Sequence, residues 1–139
     1  MSKRNIKGKI ILDDRILEGY LITENGKITK ITSERPQEEI TDTGNAFIVP
    51  GFIDLHIHGI HRMLVDNGAE ELKEICKILP RYGVTGFLPT LAPRPKGEDA
   101  EFLSELSKTE TEGTEILGFH LEGPFLKITG ALGAGAISG

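Results

Sequence analysis

The sequence predicts an α/β fold: a parallel sheet with covering helices, preceded by a strand-rich segment. Three observations predict it. From residue 51 onward, short apolar stretches alternate with amphipathic helix patterns at roughly thirty residues per unit, the rhythm of parallel β/α architecture. Residues 1–50 instead carry short runs rich in Ile, Leu and Thr with a hairpin signal between them. Pro50-Gly51 punctuates the change. Two segments follow, 1–50 and 51–139.

In the first segment, "KIILDD" and "GYLITENGKITKI" read as strands. Asn25-Gly26 is a two-residue hairpin signal, because both residues tolerate positive φ. "RPQEEITDTGN" is polar and reads as a loop leading to a further strand at residues 46–49. In the second segment, "FIDLHIH" is a short apolar strand. Residues 68–83 place Leu72, Ile75, Cys76 and Leu79 at i, i+3, i+4 and i+7, one face of a helix that Pro80 and Gly83 end. "VTGFLPTL" is a second strand, and residues 97–110 form a second helix with Phe102, Leu103 and Leu106 on one side. "EILGFHLEG" is a third strand, and the glycine- and alanine-rich tail reads as a loop.

Composition bounds the function. The 139 residues are 38% hydrophobic and 27% charged, which suits a globular chain of one domain or a piece of a larger one. The net charge of −5 argues against nucleic acid or an anionic membrane surface as partner. The start lacks an apolar core long enough for a signal peptide, and no stretch approaches a membrane span of ~20 apolar residues. A cytoplasmic protein is expected. Cys76 is the one cysteine, so an intrachain disulfide and a Cys-rich zinc site are both excluded; its place on the apolar stripe of the helix makes it packing.

The chemistry gathers at strand ends. His56 and His58 are two apart in a strand, so their side chains share a face and their Cα atoms lie about 6.6 Å apart, close enough for two imidazoles to converge on one ion. Ligands collect at the C-terminal edge of an α/β sheet, and Gly59 permits a tight exit there. An arbitrary His-x-His pair is more often two surface or core histidines; ending an apolar strand ahead of a glycine favours ligation. Asp54 shares that face, where bonding backbone or orienting a histidine is its expected role. On the third strand, His120 and Glu122 again share a face ahead of Gly123-Pro124. A carboxylate there can complete a His, His, Glu site for zinc or iron. His120 fits equally as a lining residue or as a hydrogen-bonded interior histidine. His61 and Arg62 read as solvated loop residues. The sequence holds no phosphate-binding glycine loop, GxSxG elbow or paired catalytic cysteines.

"VPGFIDLHIHG", "GVTGFLPTL" and "GFHLEGPFL", in this order, resemble the amidohydrolase superfamily, and the phrase from His120 to Phe125 most resembles its N-acetylglucosamine-6-phosphate deacetylases. The resemblance implies a metal-dependent (β/α)8 TIM barrel preceded by strands of a small β-sandwich. Residues 1–50 would be sandwich strands and residues 51–139 the first three β/α units of the catalytic barrel. It implies removal of acetate from N-acetylglucosamine 6-phosphate in amino-sugar catabolism. Glu122 would ligate a divalent metal, zinc or iron, with His56 and His58 able to hold a second ion. It also implies a small-molecule amino-sugar phosphate as partner and a homodimer for the full-length enzyme. A full barrel needs about 250 residues, so the chain reads as the N-terminal part of a deacetylase. The family's remaining histidine ligands and its general-base aspartate are expected beyond Gly139, and the isolated chain is expected to be inactive. Where the family often has Gly-Ala-His, this chain has Gly130-Ala131-Leu132. The alternatives are another amidohydrolase, such as a dihydroorotase, dihydropyrimidinase or deaminase, or an inactive metal-binding fragment.

Overall fold

The computed structural model describes residues 2–94 and 98–122. Gly123-Pro124, the tail and Gly130-Ala131-Leu132 lie outside the described residues. The chain divides into two compact units, Met1–Pro50 and Gly51–Gly139.

The first unit is a mixed four-stranded sheet. Its strands are β1 (Lys3–Ile11), β2 (Ile16–Glu24), β3 (Lys27–Thr32) and β4 (Ile40–Ile48), in the spatial order β3-β2-β1-β4. β1 and β2 pair antiparallel without interruption from Lys3 opposite Glu24 to Ile11 opposite Ile16. Asn25 and Gly26, at φ 51° and 79°, join β2 to β3 in the left-handed turn that the pair predicts. Of the polar segment expected to be a loop, residues 35–39 are irregular as expected, but residues 40–45 are instead the first part of β4. Its edge strand runs parallel to β1 and bulges, since Lys7 faces Asp42 whereas Lys9 faces Phe47. Thr43 Oγ1 donates to the Lys7 carbonyl at 2.7 Å inside that bulge, and the Gly44 N–H donates to Asp42 Oδ1 at 2.8 Å. These side-chain bonds replace ladder bonds, so a polar sequence holds an extended strand.

The second unit carries a parallel sheet. β5 (Phe52–Ile57), β8 (Val84–Leu91), β9 (Glu115–Ile116) and β10 (His120–Leu121) compose it, with β8 between β5 on one side and β9 and β10 on the other. After β5 the chain makes a small hairpin of β6 (Gly59–Ile60) and β7 (Met63–Leu64), then a 3-10 turn at Val65–Asn67, then helix α1 (Ala69–Ile78). The 3-10 turn at Leu79–Tyr82 replaces the last turn expected of α1, because Pro80 lacks an N–H, and Gly83 stops it at φ 78°. Helix α2 (Asp99–Ser107) follows β8. Leu72, Ile75, Cys76 and Leu79 pack with Val65, Phe87, Leu91 and Leu106 into one core. Fully burying each aliphatic side chain is worth about 1.5–3 kcal/mol, which fixes α1 against β8.

The third strand differs from its expected form. It is broken at Leu117–Phe119 into β9 and β10. Glu115 faces Gly86 and His120 faces Thr90. Five steps on one strand therefore match four on the other, the signature of one extra residue. Gly118, at φ 155°, sits in the gap, and the Leu117 N–H still reaches the Phe87 carbonyl at 3.0 Å.

Candidate metal centre

β5 delivers His56 and His58 to the end of the sheet, and β10 delivers His120 and Glu122. The approach of β5 to β8 is irregular: Asp54 faces Phe87 and Ile57 faces Pro89. Pro89 cannot donate to a ladder. The Ile57 N–H donates to the hydroxyl of the buried Thr90 at 3.0 Å, and that hydroxyl donates to the Leu88 carbonyl at 3.3 Å. Asp54 accepts from the His56 N–H at 3.0 Å, the backbone role expected of it. On the other strand the Glu122 N–H donates to the Leu91 carbonyl at 3.0 Å.

The side chains converge. His56, His58 and Glu122 each offer one potential ligand atom, and these atoms lie within 4.8 Å of one another. His58 Nε2 is 3.2 Å from Glu122 Oε2. The His56 and His58 rings stand edge to face with centroids 5.2 Å apart, and the His120 ring packs on His56 at 4.7 Å. His120 thus lines the cluster. Ligand atoms bound tetrahedrally at ~2.0–2.1 Å lie roughly 3.3 Å apart, so the His58–Glu122 spacing fits a shared zinc-sized ion. Two imidazoles and a carboxylate form a donor set that suits zinc or iron. His58 is mostly buried, with 17% side-chain exposure, and its Nδ1 has no hydrogen-bond partner among the described residues.

His61 is elsewhere. It occupies the turn between β6 and β7 at φ 57°, with its ring 6.4 Å from that of Tyr82, outside the group of potential ligands. Arg62 is exposed, as a solvated loop residue should be. A separate cavity of about 540 Å³, lined by Leu106, Thr111, Thr114, Leu117 and Phe119 among others, includes none of the histidines.

Three residues near the cluster escaped the sequence reading: Thr90, Asp66 and Arg94. Asp66 Oδ1 accepts from the Ala92 N–H at 3.1 Å, and the Asp66 carbonyl accepts from Arg94 Nη2 at 2.7 Å. The Arg94 guanidinium lies 3.4 Å from the centre of the Phe102 ring, a cation–π contact that fixes it. Burial pushes the Asp66 carboxyl above the ordinary aspartate range, against the opposing pull of the Ala92 N–H, Arg94 and His58. The available signal was a carboxylate directly after the apolar residues 63–65, but its partners are not visible locally.

No protein-family model matches the chain. The chain is 32% identical over 129 residues to the N-acetylglucosamine-6-phosphate deacetylase of Bacillus subtilis, covering 84% of this chain and 33% of that enzyme. It is 32% identical over 123 residues to the dihydroorotase of Pyrococcus furiosus, covering 85% of this chain and 29% of that one. Among solved structures, the N-acetylglucosamine-6-phosphate deacetylase from Pasteurella multocida superposes with a TM-score of 0.75 at 22% identity, over 91% of this chain and 36% of that one. That likeness shows a mixed α/β fold shared with part of that longer chain. The chain spans about a third of the length of these relatives, and over most of its own length it is similar to the N-acetylglucosamine-6-phosphate deacetylases.

Proposed function

We propose that this chain is the N-terminal portion of a metal-dependent deacetylase that hydrolyses N-acetylglucosamine 6-phosphate to glucosamine 6-phosphate and acetate. Residues 1–50 serve as strands of a β-sandwich, and residues 51–139 supply the first three β/α units of a TIM barrel. His56, His58 and Glu122 hold a divalent ion, zinc or iron. The observation that carries the reading is the convergence of those three side chains from the ends of two strands. A bound ion of this kind polarises an amide carbonyl and lowers the pKa of water. The chain's own contribution is to fix the donors. The Asp54 carboxylate holds the His56 backbone, the Leu91 carbonyl holds that of Glu122, and the His120 ring packs on His56.

Zinc titration of the purified chain tests the metal assignment. One equivalent should bind, and Glu122→Ala or His58→Ala should weaken binding at least tenfold. Unchanged binding in both variants would overturn the ligand assignment. Acetate release is a separate matter. The group of potential ligands holds no carboxylate besides Glu122 to act as a base, and losing a general base typically costs 10²–10⁴-fold. The chain with zinc, iron or manganese is therefore expected to hydrolyse N-acetylglucosamine 6-phosphate at background rate. Turnover near the ~10 s⁻¹ usual for enzymes, abolished by Glu122→Ala, would show that these residues suffice. The likeness to a dihydroorotase supports a second reading, hydrolysis of a cyclic amide. A substrate panel on a longer protein that contains this sequence separates the two.

A further inference from the structure

Asp66 belongs to no strand and offers no atom to the His56–His58–Glu122 group. It nevertheless sits at the crossing of the bonds that hold two members of that group. The Leu91–Ala92 peptide is the pivot. Its carbonyl accepts from the Glu122 N–H at 3.0 Å, and its N–H donates to Asp66 Oδ1 at 3.1 Å. On the other side of Asp66, the adjacent Val65 N–H donates to the His58 carbonyl at 2.8 Å. One unbroken path therefore runs from the Glu122 backbone, through a single peptide group and the Asp66 carboxylate, to the His58 backbone. Arg94 braces it by donating to the Asp66 carbonyl, and Phe102 holds Arg94 in place. Leu64 and Asn67 flank the same turn, and both donate to Glu71 Oε2, at 2.6 and 2.9 Å. The turn is thus anchored to α1 as well.

We infer that Asp66 is a positioning residue that sets the separation of His58 and Glu122 by clamping the loop after β5 to the end of β8. The inference rests on the metal reading of the cluster. The clamp needs an acceptor at the reach of an aspartate and does not need its charge. Asn keeps that acceptor. Glu keeps the charge but carries the oxygen one methylene further. Ala removes the bond and leaves the Ala92 N–H without a partner.

The test is zinc affinity, read by competition with a chromophoric chelator, beside the thermal unfolding midpoint of each metal-free variant. Partners that orient metal ligands typically contribute 10–100-fold in affinity. Asp66→Ala should weaken zinc binding by about that factor, Asp66→Glu by roughly tenfold, and Asp66→Asn by less than about threefold. This ranking separates a clamp from its rivals. A residue acting by charge would be preserved in Asp66→Glu and lost in Asp66→Asn. A residue needed only for folding would lower the unfolding midpoint and leave the affinity of the folded protein intact. Should Asp66→Ala fail to fold, the Asn and Glu variants carry the comparison. Amide exchange in the metal-free chain adds an independent readout, with the Ala92 and Glu122 amides expected to exchange faster together in Asp66→Glu than in Asp66→Asn. Wild-type chain that binds no zinc overturns the metal reading, and this inference with it. Wild-type binding that all three variants match overturns the clamp alone.

Discussion

Asp66 faces opposing demands, and they predict how it responds to pH. Burial favours its neutral form, while the Ala92 N–H, Arg94 and His58 favour the carboxylate, and burial prevails. The folded chain therefore holds this proton more tightly than the unfolded chain. In the window between the ordinary aspartate range and the raised folded value, the folded state binds more protons, so stability falls as pH rises. Asp66→Asn has no such proton to lose. Urea unfolding of the two proteins across mildly acidic pH should show the wild type losing stability relative to Asp66→Asn as pH increases; parallel curves would contradict this. The same residue shows what sequence conceals. His56, His58 and Glu122 were legible because polar groups at the ends of apolar strands advertise themselves by period. Asp66, Thr90 and Arg94 act through partners 26 to 33 positions away, and no local pattern carries that information.

At the level of elements, short-range signals were legible. Asn25-Gly26 produced its hairpin, and the 3.6 period of Leu72, Ile75, Cys76 and Leu79 produced α1. Irregular pairing was not legible. The extra residue between β9 and β10 leaves an apolar run intact to the eye, and the two-residue strands β6 and β7 are too short to show any period. The beginning of β4 was hidden because its residues are mostly polar: it pairs with β1 at residues 40–42, and side chains of Thr43 and Asp42 hold the bulge that follows. Pro89 and Thr90 join these two kinds of information. Pro89 brings no N–H to the pairing with β5, and the Ile57 N–H, one residue before His58, donates to the Thr90 hydroxyl. Thr90→Val keeps the shape and strands a buried N–H, a loss of about 1–3 kcal/mol. Chemical denaturation should show that decrease, and zinc affinity should fall as well because His58 follows Ile57. A stability change below ~0.5 kcal/mol would mean that water or a shifted register satisfies the Ile57 amide.

The molecule as a whole carries β5 as a strand with one partner, β8, among the described residues. Phe52, Ile53 and Leu55 are 66%, 60% and 62% exposed. Ile53 and Leu55 share one face, while Phe52 shares the other with Asp54 and His56, so the bare apolar surface of this edge lies mainly on the face of Ile53 and Leu55. Monomeric soluble proteins seldom leave such an edge open, because its unpaired backbone and apolar surface invite association. The matched part of the relatives is about a third of their length, which agrees with surface built to be covered in a longer architecture. The chain should therefore bind an apolar fluorescent dye while folded. Ile53→Lys combined with Leu55→Lys should reduce that fluorescence severalfold and raise the monomer fraction in size-exclusion chromatography. The stability loss should stay within about 1 kcal/mol, the scale of surface changes, because neither side chain is packed. A cost of several kcal/mol would show that these side chains are buried in solution, and dye fluorescence equal in the two proteins would place the exposed apolar surface away from β5.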